Sequence, residues 1–355
     1  LIMEPTAIDA LLKDAVQRNF GSSASVANLT RLTAGASCES WRFDVTHGGL
    51  VDPDTMVLRR PPLVARSNRE EYFAQRLAPG RQHEAAILAV LEAADMAVPK
   101  VLFELHEDDG LGLGYVMNFL AGEALPPRIL KADDFAAARA ALPGQITSFR
   151  YQLNAVDIAS LAFLPEDTAA SQIELFEEIL DWQNLRHPGL ELGLSWLKDH
   201  LPDPAPAKLV HGDYRLSNFL ITNDGLNAVI DWELAHLGNP LEDLAWLCVR
   251  SWRFSRPDLA ASGLTDRRGL LANWCAVSGE VLPLHDLIFW EVLGNVKWAI
   301  LCLLMGQKYL SGTDKSIELA VVGRRVEEPV YDLIRLIDGR DGQMSEENLS
   351  EDGTS

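Results

Sequence analysis

The run His211-Gly212-Asp213-Tyr214-Arg215-Leu216-Ser217-Asn218, followed by Ile230-Asp231-Trp232-Glu233, constrains the fold of this chain more than any other feature. Asn218-Phe219-Leu220-Ile221-Thr222 and Leu226-Asn227-Ala228-Val229-Ile230 are short apolar runs separated by Asn223-Asp224-Gly225. That pattern predicts a tight hairpin, because Asn, Asp and Gly are the residues that turns of this kind accept. A hairpin returns Asp231 to the end at which Asn218 starts. The spacing therefore predicts that the oxygen-bearing side chains of Asp213, Asn218 and Asp231 are brought toward one place.

The transfer of a phosphoryl group passes through a loose transition state that needs positioning, charge neutralisation and an oriented hydroxyl. In the protein-kinase catalytic loop, H-R-D-x-x-x-x-N, the Asp orients the acceptor hydroxyl and the Asn holds Mg²⁺. Asp213 and Asn218 have the same five-residue offset. Asn218 and Asp231 form a pair of oxygen donors of the kind that suits Mg²⁺, which takes few carboxylates and completes its shell with phosphates. Arg215, two residues after Asp213, is placed to reach the γ-phosphate of ATP as a fixed cation. His-Gly-Asp, the spaced Asn and the later Asp would coincide by chance in roughly one chain in ten thousand of this length. The competing account is a tight turn in which Asp213 caps a helix and Asp231 a strand end.

At these residues the chain resembles the aminoglycoside phosphotransferase (choline kinase-like) family of small-molecule kinases, with His-Gly-Asp in place of His-Arg-Asp and no Phe-Gly after the metal Asp. The resemblance continues through Gly238-Asn239-Pro240 to Asp243-Leu244-Ala245-Trp246. Val57-Leu58-Arg59-Arg60-Pro61-Pro62, His211-Gly212-Asp213-Tyr214-Arg215 and Trp290-Glu291-Val292 are similar to the branch related to the kinase-like domain of some acyl-CoA dehydrogenases. The likeness covers roughly residues 25 to 335. It implies an α+β, two-lobed protein-kinase-like fold, with a small β-rich N-terminal lobe, a larger helical C-terminal lobe and ATP between them.

Upstream, Asn28 to Asp44 gives two β-rich runs around Thr33-Ala34-Gly35-Ala36-Ser37. Gly35 and Ser37 belong either to a phosphate-covering turn or to an ordinary hairpin. Met56-Val57-Leu58-Arg59 resembles the third kinase strand, with Arg59 where most kinases carry the Lys that pairs with phosphates and with a helix Glu. Guanidinium pairs well with both groups, so Arg59 is a candidate phosphate anchor, the alternative being a surface strand end. Arg81 to Leu91 reads as a helix with Ala85, Leu88 and Leu91 on an apolar face. Glu84 in its first turn is either the partner of Arg59 or a carboxylate placed for the helix dipole. Gly114 to Leu120 reads as a strand leading into an inter-lobe hinge, whose backbone near Asn118 and Leu120 would bind adenine; a plain edge strand has the same pattern.

Asn239-Pro240-Leu241-Glu242 carries an N-cap, a first-turn Pro and a capping-box-like Glu, so Asp243 opens a helix and is expected to hold the catalytic loop by hydrogen bonds. His211 either orients that loop, as its family position implies, or merely fills space. For the acceptor, Trp252-Arg253-Phe254 and Phe289 to Leu304 combine aromatic surface with few polar groups. Glu291, Asn295 and Trp298 fall at i, i+4 and i+7, which gives either a ligand-binding face together with Trp252 or an internally paired polar edge on a buried helix. The acceptor is expected to be a small hydroxylated molecule. An aminoglycoside and a hydroxyacyl-CoA are both open, the latter needing basic contacts such as Arg215, Arg253 or Lys297.

The 355 residues, 48% of them hydrophobic, can bury a large core. The expected organisation is a helix at Thr6 to Phe20 and a β-rich nucleotide lobe within 1–120, a helical catalytic lobe at 121–338, and an acidic disordered tail at 339–355. A formal charge of −20 disfavours nucleic acids and anionic membranes as partners. The longest apolar run, Trp298 to Gly306, is far short of a membrane span, and Glu4 and Asp9 stand where a signal peptide would carry positive charge. Cys38, Cys248, Cys275 and Cys302 show neither metal spacing nor a disulfide framework, which fits reduced thiols and a cytoplasmic protein. A second functional class stays open: a kinase-fold regulatory protein that binds nucleotide without turnover, suggested by Arg59 at the Lys position.

Overall fold

The computed structural model describes residues 5–32, 38–48, 52–61, 67–313 and 315–339. The turn carrying Gly35 and Ser37, and the tail beyond Gly339, lie outside the described residues. The chain divides into two compact units. The first comprises Leu1–Glu123, Phe219–Thr222 and Asn227–Leu234; the second comprises Ala124–Asn218, Asn223–Leu226 and Ala235–Ser355.

The expected division after Leu120 lies close to the observed one after Glu123, but the hairpin segments had been expected in the helical part. Backbone bonds account for their placement: Glu123 and Ile221 exchange N–H···O bonds of 2.8 and 2.9 Å, and Val229 N donates to Ala97 O at 2.9 Å. Such distant pairings leave no local pattern in the sequence.

In the first unit, helix α1 (Pro5–Phe20) precedes strands β1 (Ser25–Leu32), β2 (Glu39–Thr46) and β3 (Asp54–Arg60). Helices α2 (Asn68–Leu77) and α3 (Glu84–Ala93) and strands β4 (Val101–Glu104) and β5 (Tyr115–Asn118) follow. The five strands form an antiparallel sheet in the order β1-β2-β3-β5-β4. Ile8, Leu12, Ala15 and Val16 repeat at helical spacing on one face of α1 and are fully buried in the same apolar cluster as Trp41, Phe43, Met56, Leu58 and Val116. Burial of each large side chain of this kind is worth about 1.5–3 kcal/mol, which fixes the helix to the sheet. Arg59 pairs with Tyr115 across β3 and β5. Beside that pair, a Cβ on Gly114 would come within 2.6 Å of the Arg59 carbonyl, so only glycine allows β5 to run there.

In the second unit, the helices are α4 (Pro126–Lys131), α5 (Ala136–Gln152), α6 (Ala169–Trp182) and α7 (Pro188–Asp199), then α8 (Leu241–Cys248), α9 (Arg267–Ser278), α10 (Leu284–Leu310), α11 (Ile317–Gly323) and α12 (Glu327–Ile337). Strand β6 (Lys208–Val210) pairs antiparallel with β9 (His236–Gly238). Between them in sequence, but belonging for the most part to the first unit, β7 (Phe219–Thr222) and β8 (Gly225–Val229) form the expected hairpin sheet, with Gly225 at φ +122° after the turn. Thr168 and Asp266 cap α6 and α9 through their side chains, and Gly279 closes α9 in the left-handed conformation.

Helix α10 corrects the expectation of short apolar runs. It is long and apolar enough to cross a membrane by length and composition, and 78% of its most apolar window is buried inside the protein. Glu291, Asn295 and Lys297 interrupt the run in sequence, yet all three are themselves buried.

Candidate active site

Two clusters, one in each unit, contain most of the residues singled out by the sequence. In the second unit, β6 delivers the chain into His211, and Gly212 turns it at φ +80°. The carboxylate of Asp243, in the first turn of α8, accepts from His211 N and Gly212 N, both at 3.0 Å. Arg150 from α5 forms a 3.0 Å ion pair with the same carboxylate, and both side chains are fully buried. Asp243 therefore holds the loop, as its place in sequence implies. Asn239 accepts from Leu241 N at 2.9 Å at the start of α8.

The expected capping role of Glu242 is not what the structure shows. Its carboxylate points inward, where it accepts from Lys297 Nζ at 3.1 Å and Gln172 Nε2 at 2.8 Å and pairs with His236 Nε2 at 3.0 Å. Lys297 also donates to the Gly212 carbonyl at 2.9 Å. Lys297 is thus an internal support of the loop rather than an exposed cation. Burial opposes charge on Glu242, but the charges of His236 and Lys297 outweigh it and hold this carboxyl well below its ordinary range. Burial likewise opposes protonation of His236, and Glu242 reverses the balance, so the imidazole pKa is raised.

Within this frame, both oxygens of Asp213 are held. Oδ1 accepts from Arg215 Nε and from the indole Nε1 of Trp246, each at 2.8 Å. Oδ2 accepts from Asn218 Nδ2 at 2.7 Å, and the same amide donates to the Asp213 carbonyl at 2.8 Å. His211 Nδ1 accepts from Asp213 N at 3.2 Å, so the ring orients the backbone. Arg215 also donates to Ser217, and its guanidinium lies over the Trp252 ring, 4.5 Å from the centroid. Burial alone would raise the pKa of Asp213. The charge and hydrogen bond of Arg215, the His211 ring and the Trp246 N–H more than offset it, and the carboxyl stays below its ordinary value.

In the first unit, Arg59 at the end of β3 bridges two carboxylates. Its Nε donates to Glu84 Oε2 at 2.6 Å, and its Nη2 donates to Asp231. Glu84 Oε1 accepts from Trp232 N at 2.9 Å, which links α3 to the segment after β8. Asp231 adopts φ +69°, a left-handed backbone that Asp tolerates better than most non-glycine residues. Burial would favour loss of the Arg59 proton, but Asp231 and Glu84 keep the guanidinium charged well above its usual pKa. Arg81 donates to Glu233 at 3.2 Å beside this cluster.

The remaining candidates are placed as follows. Asn118 ends β5 and its side chain accepts from Lys100 N at 2.7 Å; Leu120 is half-buried just beyond it. Trp252 and Trp298 pack edge to face at 4.8 Å within the cluster that includes Trp246. Glu291, 1% exposed, is engaged by Arg253 at 3.0 Å and by Arg267 at 2.7 Å, and Asn295 Nδ2 donates back to the Glu291 carbonyl. Glu291 is paired internally, whereas the buried Oδ1 of Asn295 and the indole N–H groups of Trp252 and Trp298 have no hydrogen-bond partner among the described residues.

Sequence inspection did not single out Trp246, Arg150, Glu242 or His236 as parts of the site. Trp246 had a signal, since it follows Asp243 by three residues and so shares its helix face. Arg150 and His236 had none, because their partners are set by tertiary packing. Among the described residues, no cluster of three or more His, Cys, Asp or Glu side chains could hold a metal. Asn218, in the second unit, and Asp231, in the first, each carry a hard oxygen donor of the kind Mg²⁺ takes. The amide nitrogen of Asn218 makes its hydrogen bonds, so its Oδ1 is the atom a cation would take.

The model of the phosphotransferase enzyme family (APH) matches residues 28–278. Among curated proteins, acyl-CoA dehydrogenase family member 11 of Pongo abelii is 26% identical over 62% of this chain and 30% of its own length. Family member 10 of Mus musculus is 28% identical over 47% of this chain and 16% of its own length. The chain thus spans less than a third of these relatives. A Ralstonia eutropha structure provisionally assigned as an aminoglycoside phosphotransferase superposes with a TM-score of 0.68 at 19% identity, covering 92% of this chain and 97% of that one. Aminoglycoside phosphotransferase APH(4)-Ia, solved with ADP and hygromycin B, gives 0.55 at 18% identity over 90% and 98%. The fold is therefore kinase-like, and by the family match this chain belongs to the phosphotransferase enzyme family.

Proposed function

We propose that the chain is an ATP- and Mg²⁺-dependent kinase that moves the γ-phosphate to a hydroxyl of a small molecule, with Asp213 orienting that hydroxyl. The observation that carries this is the fixing of both Asp213 oxygens by Arg215, Trp246 and Asn218 while the carboxyl is kept ionised. In a loose phosphoryl transfer the hydroxyl needs alignment more than early deprotonation, so a weakly basic but rigid carboxylate is suited to the work. As the O–P bond forms and the bond to ADP breaks, the hydroxyl proton passes to Asp213.

Arg59, held charged by Glu84 and Asp231, is the proposed anchor of the ATP phosphates, and Arg215 is the cation that would meet the γ-phosphate. Asn218 and Asp231 are each proposed as an oxygen donor to Mg²⁺, and the ion would supply neutralisation of the phosphate charge. Backbone near Asn118 and Leu120 is the proposed adenine contact. Phosphotransferase neighbours solved with ADP, and with GDP, support a nucleotide donor.

The acceptor is a small hydroxylated metabolite. The engagement of Glu291 by two arginines removes one carboxylate that a polycationic aminoglycoside could have used. A cytoplasmic setting is proposed from the thiols, since all four cysteines are unbridged. Nucleic acids and membranes are not proposed partners.

Incubating the chain with Mg-ATP and a panel that includes aminoglycosides, hydroxyacyl-CoAs and simple alcohols tests the proposal. ADP release matched by a phosphorylated acceptor is the expected result. Thermal protection by Mg-ATP with no transfer to any member would instead support the non-catalytic, nucleotide-binding reading that Arg59 at the Lys position suggests.

A further inference from the structure

We infer that Trp246 is a positioning residue for phosphoryl transfer, its indole N–H acting with Arg215 as a clamp that sets the rotamer of Asp213. The inference rests on Asp213 being the residue that orients the acceptor. Neither the motif nor the spacing of polar residues points to an indole in this role.

Three observations carry it. First, the Trp246 Nε1 to Asp213 Oδ1 bond, at 2.8 Å, is as short as the Arg215 bond to the same oxygen. Second, the ring cannot easily move: Trp246 is 2% exposed, lies 5.5 Å from Trp252 by ring centroids and carries Lys297 Nζ 5.0 Å from its own centroid. Third, the other jaw is held by the same cluster, because Arg215 lies over Trp252. Rotation of Asp213 away from its observed position would break an indole bond and an arginine bond together and leave a buried N–H without an acceptor.

The arrangement also gives α8 two functions on one face. Asp243 fixes the backbone of His211 and Gly212, and Trp246, one turn later, fixes the carboxylate that follows them. Loop and base therefore share one rigid support.

Trp246→Phe keeps the packed ring and deletes the donor. With Mg-ATP and an accepted alcohol, or water alone as acceptor, kcat should fall about tenfold while KM for Mg-ATP stays within about twofold, the size of effect expected for one charge-assisted hydrogen bond. Trp290→Phe is the control, because the Trp290 N–H has no partner among the described residues, and its turnover should match the wild type. A spectroscopic test does not need turnover: among the nine indole N–H signals of the ¹⁵N-labelled protein, the one missing from Trp246→Phe should move upfield in Asp213→Asn. If Trp246→Phe folds poorly, Trp252→Phe and Trp298→Phe identify the neighbouring signals by elimination. Wild-type kcat in folded Trp246→Phe, or an indole signal indifferent to Asp213→Asn, would overturn the inference. A wild type without turnover would instead defeat the kinase proposal and leave the spectra to decide the clamp.

Discussion

Asp213 illustrates how a buried carboxylate can be kept ionised by a neighbouring guanidinium and an indole N–H. Burial alone would protonate it at higher pH, and Arg215, His211 and Trp246 reverse that tendency. The acid limb of kcat due to Asp213 is therefore expected below the ordinary 3.8 and should move upward in Trp246→Phe, measurable as a pH–rate profile. Arg59 is the second residue whose identity matters. A Lys ammonium lacks the planar fork that spans Glu84 and Asp231, so Arg59→Lys should raise KM for Mg-ATP roughly tenfold with a smaller effect on kcat. An unchanged KM would remove Arg59 from the nucleotide site. Asp213, Asn218, Arg59 and Glu84 were legible in the sequence, because their spacing or element position carries the signal. Trp246, Glu242 and His236 were not: an indole and an inward-facing helix carboxylate look like ordinary core and cap until the neighbouring elements are in place.

At the scale of elements, helices α8, α5 and α10 hold the loop through the buried charges of Asp243, Arg150 and Lys297, and those charges dictate its tolerance to change. Asp243→Ala would orphan the N–H groups of His211 and Gly212 and leave Arg150 buried without its counter-ion. The expected loss is about 3–5 kcal/mol, measurable by denaturant unfolding. The His236–Glu242 pair predicts a pH window for stability. His236 has a folded pKa raised above 6.5, so its contribution is complete below 6.5 and is lost as pH rises through the folded value. Glu242 has a folded pKa depressed below 4.5, so its contribution is present above 4.5 and is lost as pH falls through the folded value. The advantage of the wild type over His236→Gln in thermal midpoint should thus be greatest at about pH 5–6 and shrink on the alkaline side. A gap that widens with pH would contradict the pairing. The β7–β8 hairpin and α1 were readable from turn residues and helical periodicity, whereas the bridge from Glu123 to Ile221 joins residues too distant in sequence to leave a pattern.

For the whole molecule, composition said more about partners than about architecture. A net charge of −20 predicts negligible retention on duplex DNA at low salt; salt-sensitive binding would show a basic surface that composition conceals. The long apolar helix α10 shows the opposite limit of composition, since its hydropathy meets the length of a membrane span while most of it is buried as core of the second unit. What separates the two cases is the company of its polar residues: Glu291 is neutralised by Arg253 and Arg267, and Lys297 by Glu242. The central claim, that Asp213 orients the accepting hydroxyl, is tested most directly by the single-turnover rate of Asp213→Asn with saturating Mg-ATP. A fall of about a thousandfold or more, with Mg-ATP affinity retained, is the predicted result. A rate within a few-fold of the wild type would contradict it.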